Sequence, residues 1–277
     1  MMEAIDLFRE KDTRDELGIA GIRDTFSDML FPGTGALQTR ARYFFFVPWM
    51  YLDFDAKRIS SAEIARRSRA FGISLIDRLA DSADPVGTIG IQARASLQRV
   101  PSSIYWNGLK LLRIYQLSGS QADYQRSLDL RAATAATTRK NDDGDVEGGV
   151  ARAWHAGLPT APAGFPSEAR FALTVAEARY LKGRVLEIHR RSLFAFMLDR
   201  EPSDVDSAFA WEHPEALNAP VELRREVEHA RCFSEGLNGA AILYNLYLAE
   251  IEPRRDLVVE ECEALLASFW RETVGNK

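Results

Sequence analysis

Cysteine and histidine are scarce in this chain, which has two Cys and four His in 277 residues. Two thiols alone cannot build a structural zinc site, and Cys232 and Cys262 fall in separate helical stretches, where buried thiols are expected rather than a disulfide. The histidines, His155, His189, His213 and His229, are scattered. Glu226-x-x-His229 lacks the second copy and the two further glutamates that a di-iron bundle requires. Long apolar runs are missing too: Ala240 to Ala249 is interrupted by Asn245 and falls well short of the roughly 20 residues of a spanning helix. The opening MMEAIDLFREKD is charged from Glu3 on and has no leader-like apolar region, so a cytoplasmic protein without membrane association is expected. No Walker loop, dinucleotide-binding glycine motif, GxSxG or HExxH is present, which removes the familiar nucleotide, hydrolase and metalloprotease signatures.

Strand alternation bounded by hairpin turns is also absent, as is any repeat of 20 to 50 residues. What remains is helical spacing punctuated by breakers. The expected fold is all-α: a multi-helix globular bundle with one long irregular loop around 139–166. That loop separates an N-terminal helical half (1–138) from a C-terminal acidic half (167–277), the two packed as one unit. With 46% apolar and 27% charged residues, the composition is that of an ordinary soluble globular protein with a sizeable core.

The stretch from Gly18 to Phe54 is the most unusual. Phe31-Pro32-Gly33-Thr34-Gly35 is a breaker cluster that predicts a sharp bend between two helices. The first carries Ile22, Phe26, Met29 and Leu30 on one face, with Asp24 and Asp28 a turn apart on another. The second is expected to start near Thr34 as N-cap, to carry Gln38, Thr39, Arg40 and Arg42 into Tyr43-Phe44-Phe45-Phe46-Val47, and to end or kink at Pro48. Arg23, Asp24, Asp28, Arg40 and Arg42 are expected to converge across the bend. Two readings stay open there: an ion-pair network joining the helices, or an arginine pocket for a phosphate or carboxylate.

Further along, Ser60 or Ser61 caps a helix through Ile64 and Leu79, Asp84-Pro85-Val86-Gly87 breaks the chain, and Thr88 to Gln98 reads as helix. Another runs from Pro101 to Tyr115 with Tyr105, Trp106 and Asn107 beside Lys110 and Arg113, residue types that stack on and hydrogen-bond a base, although aromatics at this spacing also suit a core. Helices are further expected over Glu3–Glu16, over Gln121–Thr138, over Arg179–Leu198 behind a Thr174/Glu177 capping box, in a short piece opened by Ser203, from Val221 towards Glu250, and around Cys262. In the long loop, acidic NDDGDVEGG misses the calcium-loop pattern because glycine comes too early and no closing glutamate follows. In AWHAGLPTAPAGFP, Ala153 to Pro166, the part from Trp154 to Pro166 reads as a strap docked by its aromatic residues, with a mobile acidic tip before it.

The net charge of -5 argues against a nucleic-acid coat, yet charge is uneven. Ala56 to Tyr115 holds ten Lys and Arg against four acids, whereas Arg200 to Lys277 holds eight against sixteen.

The run GIRDTFSDMLFPGTGALQTRARYFFFVPW, together with AWHAGLPTAPAGFP and the helical stretch after it, resembles a bacterial family catalogued as a domain of unknown function. The resemblance covers most of the chain. It implies a setting near helicase and nuclease genes in phage-defence clusters, and it brings no activity and no catalytic residue. Members begin somewhat earlier and end later, which leaves open whether 277 residues are the whole functional unit.

Two function classes follow. The first is a helical binding module of a multi-gene system, engaging nucleic acid or a nucleotide through Arg23, Asp24, Asp28, Gln38, Thr39, Arg40, Arg42, Tyr43, Tyr105, Trp106 and Asn107, with a helicase or nuclease as partner. The second is an enzyme on nucleic acid or nucleotides with Asp24 and Asp28 as its acids, or else a subunit that only joins other proteins. No metal or cofactor is expected.

Overall fold

The computed structural model describes residues 18–137, 151–200, 205–251 and 258–273. Ten α-helices are found there: α1 (Ile19–Leu30), α2 (Tyr43–Ala56), α3 (Ser61–Ala80), α4 (Pro101–Leu111), α5 (Gln121–Thr137), α6 (Val175–Ile188), α7 (Leu193–Leu198), α8 (Pro214–Leu217), α9 (Val221–Ile251) and α10 (Val259–Thr273). Among the described residues there is no strand, only an isolated bridge between Tyr115 and Trp154. The fold is all-α, as the helical spacing implies. The expected helix at Glu3–Glu16, the acidic tip Asn141–Gly149 and the Ser203 helix start lie outside the described residues. Two compact units emerge, one of Ser27–Arg200 and one combining the chain up to Phe26 with Glu201–Lys277. Residues 151–166, expected to connect two halves, belong to the first of these.

That larger unit is built around α2. Every residue from Tyr43 to Tyr51 is buried, as is Phe54, because a helix apolar on all sides has nowhere to sit but inside. Two expectations fail here. The helix begins at Tyr43 rather than near Thr34, since the chain between them is spent in turns such as Gln38 N–H to Gly35 O. Of the end or kink expected at Pro48, the end is absent: the helix runs on to Ala56. An interior proline costs about 3 kcal/mol, and burying large side chains at about 1.5–3 kcal/mol each outweighs it.

α4 crosses α2 at a point where only glycine fits. A Cβ on Gly108 would stand 2.4 Å from the Gly33 carbonyl oxygen and 2.8 Å from the Phe44 ring, so the bend after α1 packs backbone to backbone against α4. The expected helix over Thr88–Gln98 is a series of turns with one 3-10 turn at Arg94–Ser96. Gly90, at φ +80, and Arg94, at φ +46, both leave the helical region and interrupt it. Likewise the long helix expected to Leu198 stops at Ile188, and Ser192 caps the separate α7 by accepting the Ala195 N–H.

The strap is docked as its aromatics imply. Gln116 N–H donates to Ala153 O and His155 N–H to Ile114 O, forming the bridge. Trp154 Nε1 donates to Tyr124 Oη at 3.2 Å, Trp49 Nε1 donates to Pro159 O at 2.7 Å, and Phe165 stacks on Phe46 with centroids 5.5 Å apart. In the other unit, α9 and α10 form an antiparallel pair, with the Phe269 ring against Gly239.

Candidate ligand-binding cavity

Arg40 and Arg42 are two residues apart and serve different neighbours. Arg40 donates from Nη2 to both oxygens of Asp84 and from Nε to Val86 O, while its backbone exchanges hydrogen bonds with Tyr105 Oη. Thr39 Oγ1 donates to Gly87 O, so the turn before α2 is fastened to the 84–87 turn. Arg42 faces the opposite way. Its Nη2 meets Glu177 Oε1 at 3.0 Å and its Nη1 donates to Arg170 O at 2.8 Å, with both charged side chains at least 95% buried. The arginine partners are therefore Asp84 and Glu177, not the aspartates of α1: Arg23 pairs with its neighbour Asp24 at the surface, and Asp28 is exposed.

Glu177 explains why Arg42 is placed so firmly. The capping box read at Thr174/Glu177 is present: Thr174 Oγ1 accepts the Glu177 N–H and Glu177 Oε2 accepts the Thr174 N–H. One carboxylate oxygen is spent on the cap and the other on Arg42. Folding α6 thus fixes the guanidinium.

Beside this pair lies an open cavity of about 670 Å³, walled by the strap from Gly157 to Gly164 and by the first turns of α6. Arg42, Glu177 and Tyr180 are among its lining residues, together with Glu168, Arg170 and Arg179, which are exposed. Two buried polar atoms of these lining residues, Arg42 Nε and Tyr180 Oη, have no hydrogen-bond partner among the described residues. Burial pushes the Tyr180 hydroxyl up to about 12, so it stays a donor at neutral pH. Both atoms are shielded from solvent, so Arg170 and Arg179 are what the cavity presents to whatever fills it.

His155 stands just behind the strap wall. Gly157 N–H donates to its Nδ1, Arg184 approaches Nε2 at 3.3 Å, and the ring lies 5.6 Å from that of Tyr180. Burial first, and the Arg184 charge second, lower its pKa from the ordinary 6.5. It is a neutral packing residue at physiological pH.

The remaining sequence candidates divide by place. Gln38, Thr39, Arg40, Tyr43 and Tyr105 gather at the turn before α2, with Tyr43 and Tyr105 rings 5.2 Å apart and Gln38 Nε2 donating weakly to Ile104 O. Tyr105 is fully buried, so neither of its faces is open to stack a base. Trp106 points into a separate aromatic cluster with Tyr51, Tyr115, Tyr124 and Trp154, and Asn107 is exposed. Among the sequence candidates, Arg42 alone reaches the cavity. Arg170, Arg179 and Tyr180 were missed because they flank a helix cap without forming a motif. The available signal was the capping-box glutamate itself, whose second oxygen needs a cation once buried. Among the described residues, no group of three or more His, Cys, Asp or Glu is placed to hold a metal, and no helix is long and apolar enough to cross a membrane.

No curated protein and no solved structure matches this chain. A family model described as a family of unknown function, DUF6361, matches residues 2–258. Since that match takes in almost the whole sequence, the chain belongs to the DUF6361 family.

Proposed function

We propose that the chain is a helical binding module that takes a phosphorylated small molecule of the nucleotide class in the cavity beside α6. One observation carries the reading: Arg170 and Arg179, both exposed and without an ion-pair partner among the described residues, line the same open cavity. Such guanidinium groups suit phosphate oxygens, and Tyr180 with Pro159 and Pro162 offers apolar wall for a flat ring. A volume near 670 Å³ suits a single nucleotide.

A nucleotide fits better than a nucleic-acid strand, because much of the basic stretch is already engaged. Arg66 and Arg67 pair with Glu63, Arg94 with Asp77 and Lys57 with Asp53, while Arg69 donates to the Ala95 and Leu97 carbonyls. A multi-gene bacterial setting with a helicase or nuclease partner belongs to the same reading and rests on the family resemblance alone.

Thermal-shift measurements with ATP, GTP, AMP, inorganic phosphate and a short single-stranded oligonucleotide test it. At least one nucleotide raises the melting temperature of the wild-type chain, and Arg170→Ala/Arg179→Ala abolishes the shift while the ligand-free melting point stays put. A nucleotide shift that survives the double substitution, or salt-sensitive retention of the oligonucleotide alone, overturns the reading.

A further inference from the structure

The α9–α10 pair carries a second feature, independent of the cavity. Two packed helices bury one stripe each and leave a groove along their seam, which a third helix fills in most helical bundles. Here the groove is about 410 Å³, floored by Gly236, Gly239 and Ala240 and walled by Leu266 and Phe269. Phe269 already occupies the space above Gly239, whereas a Cβ at Gly236 would meet nothing within 4 Å. The floor is therefore open at Gly236. Large apolar side chains stand in solvent at it and beyond it: Trp270, in its lining, is 51% exposed, and Tyr247 (61%) and Ile251 (79%) follow one and two turns after the lining residue Leu243 on α9. Tyr247 and Ile251 are one turn apart on α9, so the apolar surface runs along the helix as a stripe rather than as isolated residues.

Charge selects the occupant. α9 and α10 together carry nine acids against four arginines, within a C-terminal stretch where acids outnumber basic residues two to one. A second copy of this chain would bring two acidic pairs face to face, and a polyanion such as DNA or RNA would be repelled. We infer that this groove docks an amphipathic helix of a partner protein whose apolar stripe is flanked by lysine and arginine. The apolar face lies over Gly236 and between Tyr247 and Trp270, while the basic flanks meet the acidic helices, the helix-in-groove mode of recognition.

The probe is a fluorescein-labelled synthetic peptide of about 18 residues with leucine on one helical face and lysine on the other, titrated with the full chain. Its counterpart carries glutamate in place of lysine. The lysine peptide binds, weakens about tenfold between low and physiological salt, and loses at least about tenfold in affinity when Gly236→Leu fills the floor. The glutamate peptide does not bind. Tyr247→Asp, at an exposed position that the fold does not require, produces the same loss and covers the case in which Gly236→Leu perturbs the pair. Lysine-peptide binding unchanged in both variants would show attraction to surface charge alone and overturn the inference. A wild-type dimer that Gly236→Leu converts to monomer would overturn it as well, by assigning the groove to a second copy.

Discussion

Arg42 and Glu177, 135 positions apart in the sequence, meet as a buried ion pair at 3.0 Å. The contact ties the start of the central helix α2 to the cap of α6, and through Arg170 O to the segment between the strap and α6. Its consequences differ sharply from those of the neighbouring Arg40–Asp84 pair, where Asp84 is more than half exposed.

Removing one member of the buried pair strands the other charge, so Arg42→Ala or Glu177→Ala lowers unfolding stability by about 3–5 kcal/mol. Asp84→Asn, at a solvent-screened pair, costs less than about 1 kcal/mol. Urea unfolding of the three variants checks the contrast. Equal losses at both pairs would mean that burial does not set the energetics here.

Close backbone packing makes a second contrast, between two helical glycines. Gly108→Ala forces a methyl group against the Gly33 carbonyl, which belongs to the backbone and cannot swing aside; a loss of about 3 kcal/mol or more is expected. Gly183→Ala in α6 meets nothing within 4 Å and gains about 0.5–1 kcal/mol through helix propensity. Melting temperatures that move in the same direction for both would refute the close packing of the Gly33 bend on α4.

Acid should weaken the fold through His155. Its folded pKa lies below the ordinary 6.5, so the unfolded chain takes up the proton first. Stability is full above about pH 6.5 and is lost as pH falls below it. The groups facing the ring, Arg184, Glu187 and Tyr180, leave the direction unchanged because burial is the leading cause. Comparing wild type with His155→Gln between pH 7.5 and 5.5 isolates the effect: the variant shows a smaller loss, and identical slopes would exclude His155 as the origin.

The sequence was informative wherever one segment decides its own structure. Helical spacing, the Thr174/Glu177 box, the break at Asp84–Gly87 and the aromatic strap are local signals, and each has its expected counterpart. Failures came where distant packing decides. Pro48 sits inside α2 because the surrounding core holds it, and Gly90 and Arg94 interrupt a helix through a left-handed backbone that their neighbours do not announce. Arg42 was singled out for standing beside five large apolar residues, which is why it is buried. Its partner was only half legible: the capping box marks Glu177 as a carboxylate with a second oxygen to satisfy, but nothing local brings it, rather than Asp24 or Asp28, to Arg42.

The cavity beside α6 is assigned to a phosphorylated ligand through its exposed arginines, and Arg179→Ala is the decisive variant. The substitution deletes a guanidinium that has no ion-pair partner among the described residues, so the ligand-free chain should melt at the wild-type temperature. Calorimetric titration with the nucleotide that stabilises the wild type should then show affinity lowered by about tenfold or more, the loss of one hydrogen bond to a charged acceptor. Unchanged affinity in Arg179→Ala, or a large drop in its ligand-free stability, would overturn the assignment.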